Sequence, residues 1–138
     1  MNRFVMDCSV TMAWCFEDEA DPYADKVLGA LGVQEAVVPG LWPLEVANVL
    51  LVAERKKRLS SADSAKFLDF LSQLSIEVDA TAPVRGDSGL IGVARQYGLS
   101  AYDGAYLSLA MREGVPLATR DKALRAACKK SGVRSFEG

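Results

Sequence analysis

Apolar positions along this chain switch repeatedly between short continuous runs and helical spacing. Arg3 to Met6 is a short run ended by Asp7, read as a buried strand. Ser9 offers a cap for a helix through Val10–Phe16. Asp21-Pro22 is a helix start, with Val27, Leu28 and Leu31 on an apolar face and Gly32 at the end. Ala36-Val37-Val38 reads as a second strand, stopped by Pro39-Gly40. Pro43 opens the longest helix. Leu44, Ala47, Leu50, Leu51 and Glu54 follow helical spacing there, and the basic run Arg55 to Arg58 closes it, where cations suit the helix dipole. Ser60 or Ser61 caps a helix carrying Phe67, Leu68, Leu71 and Leu74, and Ile76 and Val78 mark a third strand. Asp87 or Ser88 starts a helix through Tyr97, closed by Gly98. Ser100 caps the next, which turns Tyr106, Leu107, Ala110 and Met111 inward and closes at Gly114. Val115 to Thr119 reads as a fourth strand, Lys122 to Lys130 as a helix, and Val133 to Phe136 as a last, edge-like strand.

Strands alternate with helices throughout, with no linker, repeat or low-complexity segment. That pattern predicts an α/β fold in which residues 1–138 form one domain: a mostly parallel central sheet, flanked by helices and joined by right-handed crossovers.

Composition then narrows the chemistry. The longest apolar run, Val46 to Ala53, is short and contains Asn48, so no membrane span is expected. Asp7 and the acids Glu17, Asp18 and Glu19 are unlike a signal peptide, and the expected location is the cytoplasm. Cys8, Cys15 and Cys128 lack CxxC spacing, which argues for reduced thiols rather than disulfides or a thiolate zinc site. The chain contains no histidine. Mechanisms built on a histidine base are therefore excluded, and any hydrolysis must rely on carboxylates and a hard, oxygen-preferring cation.

Four acids fall where the carboxyl ends of the strands are expected, the edge at which parallel sheets bind ligands. Asp7 ends the first strand, and Glu45 lies in the first turn of the helix after the second. Asp121 follows the fourth strand. Asp103 starts the helix leading into it, and reaches the same edge only if that helix packs with the right orientation. Each acid alone has a structural explanation. Ser100-x-x-Asp103 has the form of a capping box, Glu45 suits a helix dipole, Asp121 an N-cap and Asp7 a turn. Together they are like charges on one edge, a conflict that a bound cation relieves. Oxygen donors without histidine or paired cysteines point to Mg2+ or Mn2+, and such a site has the phosphodiester as its natural substrate. A net charge of −2 is low for a nucleic-acid binder, but the cation would supply positive charge at the scissile phosphate.

Val5-Met6-Asp7-Cys8-Ser9-Val10 resembles the opening motif of PIN domains, and Pro43-Leu44-Glu45-Val46-Ala47-Asn48 resembles the family's glutamate-bearing helix. The stretch from Leu99 to Ala110, with Asp103 inside it, is similar to VapC-type toxins, and Leu117-Ala118-Thr119-Arg120-Asp121 matches the family's Thr-x-Asp ending. The four segments occur in the family's order. The resemblance implies an endoribonuclease toxin of a toxin–antitoxin pair, a homodimer, and an antitoxin that occupies the active site. It implies that Asp7, Glu45, Asp103 and Asp121 are catalytic, metal-binding acids, and that Ser9 and Thr119 are hydroxyls orienting them. Cys8 and Gly104 depart from the family's usual residues without touching a carboxylate.

Arg120 and Lys122, flanking Asp121, are candidate RNA-phosphate contacts. The run Arg55, Lys56, Lys57, Arg58 reads better as a solvated helix end, and Trp14 and Trp42 as packing rather than base-stacking residues. Two rivals stand beside the nuclease. A phosphatase using Asp7 as nucleophile wants a second acid two residues on, where this chain has Ser9. A PIN-like module could hold a cation or a protein without hydrolysis.

Overall fold

Four apolar runs form strands in the computed structural model, which describes residues 2–80 and 88–137. They are β1 (Arg3–Met6), β2 (Glu35–Pro39), β3 (Ile76–Asp79) and β4 (Leu117–Ala118), paired in the order β3-β2-β1-β4 with every pair parallel. Val5 lies opposite Val37 on one side and Leu117 on the other. A parallel sheet is covered on both faces, so its central strands must be apolar at consecutive positions. Phe4, Val5, Met6, Ala36, Val37 and Val38 are accordingly all buried.

Among the described residues seven α-helices accompany these strands: α1 (Cys8–Ala13), α2 (Pro22–Ala30), α3 (Trp42–Arg55), α4 (Ser61–Ser72), α5 (Ser88–Tyr97), α6 (Ala101–Glu113) and α7 (Lys122–Ser131). α6 packs on β1, β2 and α5. Gly104 makes the α5 contact possible, because a Cβ there would lie 3.0 Å from the Ala94 Cβ. Gly114, at φ 65°, supplies the left-handed residue that ends α6. None of the described helices is long and apolar enough to cross a membrane. All three cysteines are free thiols, and Cys128 is buried.

Several local expectations change. The cap of α1 is Asp7 rather than Ser9, since the Asp7 carboxylate accepts the Val10 N–H. α1 ends at Ala13, and the chain passes Phe16 into a 3-10 turn at Glu17–Glu19. β4 is shorter than Val115 to Thr119. Val133 to Phe136 contributes a single bridge, Ser135 to Leu117, together with a Phe136 ring stacked 4.0 Å from Phe4. The alternative start of α5 at Asp87 lies outside the described residues.

The largest correction is the face of α3. Of the helically spaced Leu44, Ala47, Leu50, Leu51 and Glu54 only Leu50 is buried, while Leu44 is 74% and Leu51 50% exposed. Trp42 sets the rotation: its buried indole N–H donates to Thr11 Oγ1 of α1 at 3.0 Å. With Trp42 inward, Val46, Leu50 and Ala53 follow into the core. An apolar stripe is thus left on the outside of a helix that is apolar nearly all round. Leu68 of α4 and Met111 of α6 also face outward. Trp14 is a packing residue as well, donating to the Ala24 carbonyl at 2.8 Å.

These adjacent leucines provide a test. Leu50→Ala is expected to lower stability by about 2–5 kcal/mol, the cost of a core cavity, and Leu51→Ala by less than about 1 kcal/mol. Urea denaturation of dilute protein reads both values, and equal losses would return α3 to the orientation expected from periodicity.

Candidate functional site

The strand order fixes where a ligand can sit. From β1 the chain steps outward through β2 to β3, then returns to place β4 on the other side of β1. The carboxyl ends of β1 and β4 therefore flank a switch point, where connections diverge and leave a crevice. Asp7 follows β1 directly, and Asp121, just after β4, caps α7 by accepting the Leu124 N–H at 2.8 Å.

Asp7 is 5% exposed, so its carboxylate needs donors from the protein. Ser9 Oγ donates to Oδ1 at 2.6 Å and the Val10 N–H donates to the same oxygen at 3.3 Å. Thr119 Oγ1 donates to Oδ2 and accepts the Asp121 N–H at 3.0 Å. One hydroxyl thereby ties the acid after β1 to the acid after β4.

Glu45 occupies the first turn of α3, and the buried Tyr106 hydroxyl donates to its Oε1. Asp103 lies in the first turn of α6, close enough that its charge acts on both Asp7 and Glu45. α6 therefore has the orientation that brings its N-terminus to this edge. Burial pushes the Asp7 carboxyl up, against the hydrogen bonds that favour its charge. Burial likewise raises Glu45, against the Tyr106 bond, and raises Asp103, with the Asp121 charge adding to it. The Cys8 thiol is pushed up to about 12 by burial and by Glu45 and Asp7, which keeps it protonated.

The two Ser-x-x-Asp pairs of the chain behave differently. In Ser60–Asp63 both halves of the capping box form, and those hydrogen bonds hold the exposed Asp63 carboxyl below its usual range. In Ser100–Asp103 only the serine half forms, at 3.1 Å, and the Asp103 carboxylate has no hydrogen bond to the described residues. The capping-box explanation of Asp103 is therefore half right.

The four carboxylates share an electrostatic neighbourhood without surrounding a single point. Among the described residues no group of three or more Cys, Asp or Glu side chains is arranged to hold an ion. Arg120 is engaged: Nε donates to Asp21 at 2.9 Å and Nη1 to the Ser9 carbonyl at 3.2 Å. Lys122 is exposed at the start of α7. The basic run after α3 stays apart, with Arg58 over the Phe16 ring and paired to Asp18. Tyr106 is the residue that sequence reasoning undervalued. It was placed in the core for its ring, but a buried tyrosine hydroxyl also needs a partner. That need, three residues after Asp103, was the available signal.

The family model described as PIN domain matches residues 4–130. This chain belongs to the PIN domain family. The PIN domain is 28% identical over 124 residues to "Ribonuclease VapC3" of Pyrobaculum aerophilum, covering 88% of this chain and 92% of that protein. Its fold is similar to that of PAE2754 from Pyrobaculum aerophilum, with a TM-score of 0.69, 24% identity, and 91% and 86% of the two chains covered. It is also similar to a chain of VapBC2 from Rickettsia felis bound to a promoter DNA fragment, with a TM-score of 0.68, 12% identity and 97% of each chain covered.

The raised acids have a consequence for stability in chelator. Folded Asp103 binds its proton more tightly than the unfolded chain does, so its contribution is full at low pH and is lost as pH rises from ~4 through its raised folded value. Asp103→Asn is therefore expected to melt higher than wild type near neutral pH, with the difference shrinking toward ~4. Melting curves across that range decide it. An Asp103→Asn protein less stable at neutral pH would mark this carboxylate as structural.

Proposed function

We propose that this PIN domain is a metal-dependent endoribonuclease that hydrolyses RNA phosphodiester bonds, and is the toxin component of a type II toxin–antitoxin pair acting in the cytoplasm. The observation that carries the reading is the Thr119 bridge between Asp7 and Asp121 at the sheet's switch point, with Glu45 and Asp103 within charge range. Family membership and the similarity to a ribonuclease support the same reading.

The donor chemistry fits a hard divalent cation, Mg2+ or Mn2+: all four groups are carboxylates and three have their protonation favoured by burial and one another. Asp7, Glu45, Asp103 and Asp121 would hold it by drawing closer together than they stand here, and the ion would supply an acidified water and neutralise phosphate charge. Ser9 and Thr119 fix the Asp7 carboxylate, and Thr119 also fixes the start of α7. Tyr106 fixes Glu45. The Asp103 carboxylate, without a hydrogen bond to the described residues, would have both oxygens available to the ion. The partner protein would inhibit by placing an arginine among these acids, as its planar fork matches a carboxylate with two parallel hydrogen bonds.

Purified protein is expected to cleave single-stranded RNA with Mg2+ or Mn2+, to stop in chelator, and to be blocked by the co-purified antitoxin. Asp7→Asn and Asp103→Asn should abolish cleavage. Tyr106→Phe should cost roughly 10–100-fold in metal affinity, as loss of a ligand-orienting group does. Gel analysis of labelled RNA and metal titration by calorimetry check these outcomes. Undiminished cleavage in excess chelator would refute the metal mechanism, and metal binding without cleavage would make the protein a non-hydrolytic module.

The exposed stripe Leu44, Ala47 and Leu51 on α3 supports a homodimer, because a soluble chain seldom leaves one helix apolar on both faces. Sedimentation at tens-of-micromolar concentration is expected to give the dimer mass, and Leu44→Glu the monomer mass. A monomeric wild type would remove the dimer.

A further inference from the structure

Beside the acid centre, on the α7 side, lies an open cleft of about 630 Å3 lined by Arg120, Lys122 and Arg125 together with Asp21, Asp121, Tyr23 and Ser9. We propose that this cleft binds the phosphates of the single-stranded RNA next to the scissile one, with Lys122 and Arg125 as contacts and Arg120 as the preset wall between cleft and acids. The proposal rests on the nuclease reading and gives the substrate strand a side on which to lie.

Three observations carry it. First, cleft and acid centre are physically continuous. Ser9 Oγ donates to Asp7 and accepts the Arg120 N–H at 3.1 Å, so a single hydroxyl belongs to both. Second, the arginines are oriented by groups that leave donors open. Asp21 takes Arg120 Nε and the Ser9 carbonyl takes Nη1, which leaves Nη2 without a hydrogen bond to the described residues. Arg125 donates Nε to the Thr119 carbonyl at 2.8 Å and lies over the Tyr23 ring, 4.7 Å from its centroid, with its outer nitrogens open. Third, Lys122 makes no ion pair or hydrogen bond with the described residues, although it sits in the first turn of α7, where the helix dipole adds to its attraction for an anion.

Charge balance favours phosphate over a neutral ligand. Arg120 is balanced by Asp21 at 2.9 Å and Glu19 at 4.0 Å, whereas Lys122 and Arg125 make no ion pair with the described residues and share the cleft with the Asp121 carboxylate alone. The remaining positive edge abuts a crevice whose own acids repel RNA, so the strand's flanking phosphates are stabilised on this side of it. The cleft is open rather than enclosed by apolar walls, as suits a polymer backbone that passes through.

The probe is a fluorescein-labelled single-stranded RNA, followed by anisotropy in chelator so that monovalent salt alone competes. Wild type is expected to bind with affinity falling linearly in log salt. Lys122→Gln and Arg125→Gln should each bind roughly 5-fold more weakly at 0.1 M salt and reduce the slope by about 0.7, the signature of one lost phosphate contact on a single strand. Lys130→Gln, the same charge change at the far end of α7, should alter neither. In the cleavage assay with metal, both cleft variants should raise KM with little change in kcat. Lys122→Gln keeps the test valid if Arg125→Gln disturbs Thr119. Variants indistinguishable from wild type, or an equal loss in Lys130→Gln, overturn the cleft while leaving the nuclease standing. A wild type that neither binds nor cleaves RNA overturns both.

Discussion

A carboxylate buried at the end of a central strand has to be given hydrogen-bond donors, and Asp7 obtains its donors from two distant parts of the chain. Ser9 and Val10 come from α1, and Thr119 from the end of the neighbouring strand β4, 112 residues away. An unsatisfied buried charge costs several kcal/mol, so this requirement reaches well beyond one residue. It favours the β1–β4 pairing, fixes Thr119 at the end of β4, and through the same hydroxyl sets the start of α7 at Asp121. The local anchoring of the candidate centre and the closure of the sheet on that side are thus one interaction network.

Around that network the electrostatics run against folding. Asp7, Glu45 and Asp103 are all pushed toward the protonated form, by burial first and by neighbouring acids after it. Asp63 shows what an acid serving only its own helix looks like: exposed, doubly bonded in its capping box, and shifted the other way. Folds tolerate strained charge where function requires it. The Tyr106 hydroxyl donates to Glu45 from the same helix that carries Asp103, a favourable contact within the centre.

The cations are segregated from these acids rather than scattered among them. Arg58 is tied to the turn before α2, and Arg112 pairs with Asp79 at the end of β3. Arg120, Lys122 and Arg125 gather on the α7 side of the switch point. A chain with a net charge of −2 can in this way gather cations on one side of its switch point, so the overall charge is a poor guide to the local surface.

The sequence alone determined the order of strands and helices, the parallel α/β class, and the chemistry open to the chain. Each follows from a local signal. Periodicity reports an element within a few residues, Ser60, Ser100, Gly98 and Gly114 mark helix ends, and the absence of histidine leaves carboxylates. It also put Asp7 and Asp121 just after strands and Glu45 in the first turn of the helix after the second strand, because such positions are local properties. What tertiary structure decided were the relations between elements. The order β3-β2-β1-β4 turned an edge into a switch point, and the packing of α6 brought Asp103 to it. Trp42 reaching for Thr11 rotated α3 away from the face that its leucines suggested, and Arg120 found Asp21 across 99 residues. No local pattern encodes such pairs. A helix with apolar residues all round has several rotations of similar burial energy, and a polar side chain has many conceivable partners. Only the assembled sheet and the hydrogen bonds it demands select among them.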